Sequence, residues 1–589
     1  MNLDIRSSRS SLTWVKLVCR FVALLLSVVQ LILLRNSTGP DARSYSEIAR
    51  AYLRHDWTMA INSYWSPLYS WLIALVLRVG KPSLRQEYPL IQLLNFFLFI
   101  ISLMAFEFFW NGLQDSIRFK KLKSVGDVFW PLPTSVQWIL GYSLFIWLTV
   151  GIIVGVGPDL CVASTVLFVA GLLVRIQTLD ASSGGRSLYV WLGVTLGLGY
   201  LAKAVMFPMA FIFLGVLTCL RFERKNITNA AFALLVFAVI ALPQIAVLSI
   251  AKQRITFSDT GKLTFAWSNY GFPICSWPDQ PPCNGMTHPI RMIYDHPKLF
   301  EFNGPIRSSY PPWYDPSYWN AGWSPKFRIA LIFRHFASNG VGILQYFTRP
   351  RIWLAALILL LLVSDLRATV RGVSQYWYLI VPCVCVFGAY SLTFAEFRYM
   401  PGWLLLVWAS VIAGLRLRPK VVSGVIVKSV AASVAIVVAV AMAHGLYVQL
   451  QSKAKPLRDV TPQYAVAEGL STLGLRPGDR VGSIGFDNDA HWAYMDGLMI
   501  VAEIPTGSAC YFWNSPADDY ANVLKKFAEA GATAIVANRA REFHSTSADE
   551  PFDFASCSHP GSGWHRVGNT EDYVFFLINR SPRSVVPGL

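Results

Sequence analysis

The sequence predicts a polytopic α-helical membrane protein with a small C-terminal α/β domain. Three observations carry that reading. Apolar residues make up 54% of the 589 residues, and the mean hydropathy is +0.43. Charged residues are only 14%, against about 25% in soluble domains. The charge is also unevenly placed: residues 455–589 carry a net −5, and residues 1–454 carry +22. So high an apolar content excludes a disordered chain, and a single anchor on a soluble enzyme could not produce it. A basic chain can bind nucleic acid. Here the basic part is the apolar part, so loop charges that orient helices account for it and no nucleic-acid partner is expected.

A bilayer-spanning helix needs about 20 apolar residues. The first span is expected at 19–35, behind Arg6, Arg9, Lys16 and Arg20, which place the N-terminus in the cytoplasm. No small-residue cleavage site follows it, so it reads as a retained span. The run 67–79 is too short to cross and is expected to lie in the outer interface. Further spans are expected at 88–110, 136–156, 159–178, 229–250, 345–363, 375–394, 401–415 and 421–444. The stretch 187–220 is too long for one helix and reads as two, meeting near Lys203. Counting Lys and Arg in the short loops supports this layout. Crossing at 67–79 would move the Arg118, Lys120, Lys121, Lys123 cluster outside. The expectation is eleven spans and an extracytoplasmic C-terminus in a cytoplasmic (inner) membrane.

Two domains follow, at residues 1–450 and 455–589, with external loops at 36–87 and 251–344. Loops this long are usually functional. In the tail, 480–485, 533–537 and 573–579 read as strands and 517–530 as a helix. Gly482-x-x-Gly485 suits a plain turn better than a phosphate loop. Cys275 with Cys283, and Cys510 with Cys557, could form disulfides in an oxidising compartment.

The chemistry-bearing residues sit at the predicted outer edge. Asp41 follows Gly39-Pro40 directly after the first span. It could cap the next helix, or serve as a general base for a hydroxyl acceptor at the membrane surface. Tyr45, Glu47, His55 and Tyr64 in the same loop are candidate acceptor or sugar contacts. Trp65, Trp313, Tyr314, Trp319 and Trp323 could stack on sugar rings or anchor the interface. Asp159, in Gly157-Pro158-Asp159, could be a helix cap or a second carboxylate in the same cavity. Lys203 is costly within an apolar stretch. It either snorkels to the interface or meets a phosphate. Arg398 and Tyr399, between two spans, suit a phosphate in the same way. The sequence names no cofactor beyond a divalent cation, Mg or Mn, which Asp41 and Asp159 could hold.

Five short motifs lie in order on that side: Asp41-x-x-x-Tyr45-x-x-x-Ala49, Tyr64-Trp-Ser-Pro67-Leu-Tyr-Ser-Trp71, Pro158-Asp159, Gly199-x-Leu-x-Lys203 and Arg398-Tyr399. Together they resemble the GT-C superfamily of membrane glycosyltransferases, in the branch of protein O-mannosyltransferases, aminoarabinose transferases and Rgt-like galacturonosyltransferases. The resemblance covers roughly residues 15–415. The first loop lacks the paired Asp-Glu of the protein O-mannosyltransferases, Ser66 stands where a second Pro is usual, and no Trp-Trp-Asp-Tyr-Gly run is present. The resemblance implies a helical membrane domain with juxtamembrane helices and a polyprenyl-phosphate-sugar donor lipid. It further implies sugar transfer, with inversion, to a glycan, lipid or protein hydroxyl, with Asp41 as the catalytic carboxylate. A secondary transporter or lipid flippase is the alternative from another class, and a non-catalytic scaffold is a third.

Overall fold

The computed structural model describes residues 2–36, 39–123, 130–178, 186–220, 224–269, 287–288, 290–302, 304–322, 328–348, 351–418, 425–454, 461–538 and 561–578. Cys275, Cys283, Trp323 and Cys557 lie outside them. Cys510 is disulfide-bonded.

The chain opens with α1 (Asn2–Leu33), followed by α2 (Pro40–Leu53), α3 (Trp57–Ala60) and α4 (Pro67–Gly80) in the first loop. The bundle continues with α5 (Glu87–Lys123), α6 (Thr134–Thr149), α7 (Asp159–Thr178), α8 (Arg186–Ala202), α9 (Met206–Leu220) and α10 (Arg224–Ala251). The long loop holds α11 (Thr260–Asn269), β1 (Arg291–Tyr294), β2 (Leu299–Glu301), α12 (Pro311–Tyr314) and α13 (Pro316–Trp319). Then come α14 (Ile329–Thr348), α15 (Arg351–Leu362), α16 (Leu366–Ser374), α17 (Trp377–Leu392), α18 (Pro401–Gly414) and α19 (Val425–Ala454). The C-terminal segment contributes α20 (Thr461–Thr472), β3 (Arg480–Ile484), α21 (His491–Met495), β4 (Met499–Ile504), α22 (Thr506–Trp513), α23 (Ala517–Glu529), β5 (Ala534–Asn538), β6 (Trp564–Arg566) and β7 (Asp572–Phe576).

This is a multi-pass membrane protein. Among the described residues, six helices are long and apolar enough to cross a bilayer, and eight if α14–α15 and α16–α17 each count as one bent span. α4, α9 and α18 are apolar but shorter. The expected break near Lys203 is present, since α8 ends at Ala202 and α9 starts at Met206. Several boundaries differ from expectation, the largest at α1, which starts at Asn2 rather than at 19. α5 continues unbroken past Arg118 to Lys123, with no Pro in its polar end and with Gly112 accommodated inside the helix. The span expected at 345–363 is split: α14 runs from Ile329, inside the stretch read as loop, to Thr348, and α15 from Arg351 to Leu362, bent by 71° from it. α19 runs ten residues past 444 to Ala454.

Glycines set the close helix approaches. A Cβ on Gly193 would fall 2.4 Å from the Ala233 carbonyl oxygen, and one on Gly197 would fall 2.7 Å from Ile240. α8 therefore lies directly on α10, as small residues allow in membrane interfaces. That contact fixes the α8 end that carries Lys203.

The tail strands at 480–484, 534–538 and 572–576 match expectation, but the sheet is larger. Its order is β1-β2-β4-β3-β5-β7-β6, with β3 parallel to β4 and β5 and every other pair antiparallel. β1 and β2 come from the long loop, so the sheet joins segments some 200 residues apart in sequence. Gly482 lies inside β3, where a Cβ would meet Phe527 at 2.4 Å, and Gly485 turns the chain at φ +75°. Gly485 makes the turn, while Gly482 serves strand packing instead of a turn.

The sheet is fastened to the membrane helices by charge. Arg50 of α2 pairs with the fully buried Glu87 at the start of α5, and Tyr494 of α21 donates to the same carboxylate. Arg85 pairs with Asp496 at 2.6 Å. Arg43 of α2 is buried and donates to the Asn488 side chain at 2.9 Å. α2 is thus clamped from the C-terminal side.

Candidate functional site

Asp41 stands in the first turn of α2, behind Gly39 and with Pro40 at the helix start. Pro gives up an N–H that would be unpaired there anyway. No side chain caps this helix, so Asp41 is free for other contacts. Its Oδ2 pairs with Arg398 Nη1 at 2.7 Å, and its Oδ1 accepts from Trp313 Nε1 at 3.2 Å. Asp159 opens α7, where the helix dipole favours negative charge. Its Oδ1 accepts from Lys203 Nζ at 2.8 Å, and its Oδ2 lies 4.0 Å from Arg398 Nε. The Lys203 ammonium sits 3.3 Å over the Tyr399 ring, which stacks on Tyr390.

Arg398 is the hub. It lies on a single 3-10 turn, Phe397–Tyr399, between α17 and α18. Nη1 holds Asp41, Nε pairs with Glu396, and Nη2 donates to the Tyr399 hydroxyl at 3.1 Å. Burial opposes its charge, but the neighbouring acids, Asp41 foremost, outweigh that and hold the guanidinium above its ordinary pKa. The cluster is therefore three carboxylates and two cations, all part-exposed or buried, with Asp159 the least exposed at 8%.

An aromatic wall adjoins Asp41. Trp313 stacks on Trp267 with ring centres 5.8 Å apart, and both rings approach Tyr64. Tyr64 and Tyr45 each meet Trp65 edge-on. Tyr45, one helical turn from Asp41, is buried, and burial raises its hydroxyl well above the ordinary pKa.

Asp41, Asp159, Lys203, Arg398 and Tyr399 thus come together, with Tyr45 and Tyr64 beside them. Of the four first-loop candidates, Glu47 and His55 do not join them, and the stacking candidates Tyr314 and Trp319 are buried on Met59 and Pro311 instead. Glu47 is six residues after Asp41, about 240° around the helix. Its carboxylate is buried on the other side of α2 and accepts from the Ser309 backbone N–H at 2.7 Å. His55 is exposed at φ +58°, its ring 6.0 Å from Trp57. It follows the end of α2, which turns it away from the cluster. Glu396 was missed. The only signal for it is an acid two residues from Arg398 in a short connection. Trp267 was also missed among the many tryptophans.

Asp41 and Asp159, the two acids that could hold a divalent cation, each face a cationic side chain. Among the described residues, no group of three or more His, Cys, Asp or Glu could hold a metal.

No family model matches the chain, and no curated protein matches it. Among solved structures, it is similar to ArnT from Cupriavidus metallidurans bound to undecaprenyl phosphate. The TM-score is 0.51 at 13% identity, over 96% of this chain and 98% of that one. A weaker likeness, with TM-score 0.43 at 12% identity, is to the Archaeoglobus fulgidus oligosaccharyltransferase in complex with Zn and sulfate. It covers 88% of this chain and 68% of that one. The first likeness shows a shared fold, and the chain has the GT-C fold that its motifs imply.

Proposed function

We propose that the chain is a membrane glycosyltransferase. It moves a sugar from a polyprenyl-phosphate-linked donor to a hydroxyl of a glycolipid, cell-envelope glycan or protein, with inversion, on the extracytoplasmic face of the cytoplasmic membrane. In this reading the N-terminus is cytoplasmic, residues 1–450 are the transferase domain and residues 455–589 an extracytoplasmic domain. The observation that carries the proposal is the meeting of Asp41, Asp159, Lys203 and Arg398 in one cluster at a single end of the helical bundle.

The chemistry follows from those groups. The polyprenyl tail stays in hydrocarbon while its phosphate meets Lys203 and Arg398. Asp41 takes the proton of the acceptor hydroxyl, whose oxygen attacks the sugar C1 from the face opposite the phosphate. The C1–O bond to phosphate breaks, and its electron pair leaves with the lipid phosphate. Lys203 and Arg398 stabilise the negative charge as it grows there. Asp159 holds the Lys203 ammonium in place, and the Trp313 indole orients Asp41. The Tyr64, Trp267 and Trp313 wall offers faces for the sugar ring. One cation pair serves donor and leaving group alike, so the base is kept within one guanidinium of the phosphate.

The test is mass spectrometry of lipid-linked sugars and envelope glycans with and without the gene. It is followed by the purified chain acting on the donor so identified. The expected result is release of polyprenyl phosphate matched by a new glycoside. Movement of intact lipid across sealed vesicles, with no glycosidic bond made, would support transport instead.

A further inference from the structure

Each of the three nitrogens of the Arg398 guanidinium has a partner in the chain. Nη1 is on Asp41, Nη2 is on the Tyr399 hydroxyl and Nε is on Glu396. Nε and Nη2 form the side edge of the fork, the edge that grips two phosphate oxygens in parallel. A carboxylate of the same chain therefore sits on the side edge that a bidentate donor phosphate would use.

Of the three acids in the cluster, only one is placed to leave. Asp159 is 8% exposed, opens a long helix and is tied to Lys203. Asp41 is 17% exposed and rides on α2, which the C-terminal segment clamps. Glu396 is 35% exposed, the most of the three, and sits in the short connection after α17. Charge points the same way. Three carboxylates against two cations leave the cluster one negative charge in excess before any anion enters.

We propose that Glu396 is a placeholder carboxylate, a positioning residue that holds the phosphate-gripping edge of Arg398 between turnovers and competes with polyprenyl phosphate for it. This rests on the function proposed above. Donor binding swings Glu396 into solvent while Nη1 keeps its hold on Asp41. After transfer, the lipid phosphate has lost its sugar and carries more negative charge than the donor did. Lys203 and Arg398 then hold the product more tightly than the substrate. The return of Glu396 to Nε offsets that hold and hastens release.

The test is binding of undecaprenyl phosphate to the full-length protein in nanodiscs, comparing wild type with Glu396→Gln and Glu396→Ala. Thermal unfolding confirms that each variant is folded. Both variants are expected to bind undecaprenyl phosphate about tenfold more tightly, equivalent to about 1.4 kcal/mol. In turnover with the identified donor they should show a lower KM together with a lower kcat, and a burst before a slow steady state. A residue that merely propped Arg398 would do the opposite. Binding in both variants equal to wild type or weaker overturns the placeholder role and leaves the proposed function standing. Wild-type protein that does not bind undecaprenyl phosphate at all overturns both.

Discussion

Replacing Asp41 with Asn exchanges a carboxylate for an amide of nearly the same shape. The amide oxygen can still accept from Trp313 Nε1, which now lies 3.2 Å from Oδ1. On the other side an N–H₂ would face Arg398 Nη1, where a charged pair stands at 2.7 Å. Two things are lost, the ion pair and the base. The pair is part-exposed, 32% on Arg398 and 17% on Asp41, so its loss costs the fold only about 1 kcal/mol. The base is the larger loss, since a positioned general base contributes about 10²–10⁴-fold. That is about 3–5 kcal/mol of barrier. Donor binding should survive, because Lys203 and Arg398 are untouched and one negative charge near the phosphate is gone. The assay is single-turnover release of polyprenyl phosphate in nanodiscs, beside a separate measurement of lipid-phosphate binding. Asp41→Asn should bind as well as wild type or better and transfer at least a hundredfold more slowly. Wild-type transfer by the variant would remove Asp41 as the base. Equal losses in binding and rate would make it a structural residue instead.

Three further expectations follow from the same geometry. Arg398→Lys keeps the charge but cannot hold Asp41, Glu396 and Tyr399 at once. Steady-state kinetics should show kcat/KM down by about 10²–10³, comparable to losing one transition-state donor, and a tenfold loss or less would argue against a fork-specific contact. Arg50→Ala takes the cation from the fully buried Glu87 carboxylate, to which the Tyr494 hydroxyl still donates, and should cost about 3–5 kcal/mol in denaturation. Adding Glu87→Gln should recover most of it, and a double variant no better than the single one would discount the pair. Burial, with Asp487 behind it, holds the Glu503 carboxyl of β4 well above its ordinary pKa. The folded chain then binds that proton more tightly than the unfolded one, so this group's stability is present below the ordinary carboxylate range and lost as pH rises toward the raised value. Glu503→Gln keeps an acceptor for the Tyr310 hydroxyl, now 2.8 Å away, and should melt higher than wild type at pH 7–8 but not at pH 4. A variant less stable at every pH would refute this.

The sequence by itself determined which residues were out of place. Lys203 in an apolar stretch violates the cost of charge in hydrocarbon, and Asp41, Asp159 and Arg398 stand at the ends of or between apolar runs, features local enough to read from composition. The break at Lys203 and three strands of the tail were legible for the same reason, since helix and strand periods are short-range. Glu47 was legible in principle as well, because helical geometry alone turns it away from Asp41. What the tertiary structure decided is everything that depends on pairing across long separations. It put β1 and β2 of the long loop into the C-terminal sheet, set the Trp313 indole on Asp41 across 272 residues, and placed Arg398 between Asp41 and Asp159. An ion pair is chosen by which helix ends meet, and that is fixed by close packing at positions such as Gly193 and Gly197 rather than by the charges themselves. Glu396 marks the boundary between the two. Its neighbour in sequence was visible, but that it closes the free edge of the guanidinium is a fact of three-dimensional geometry.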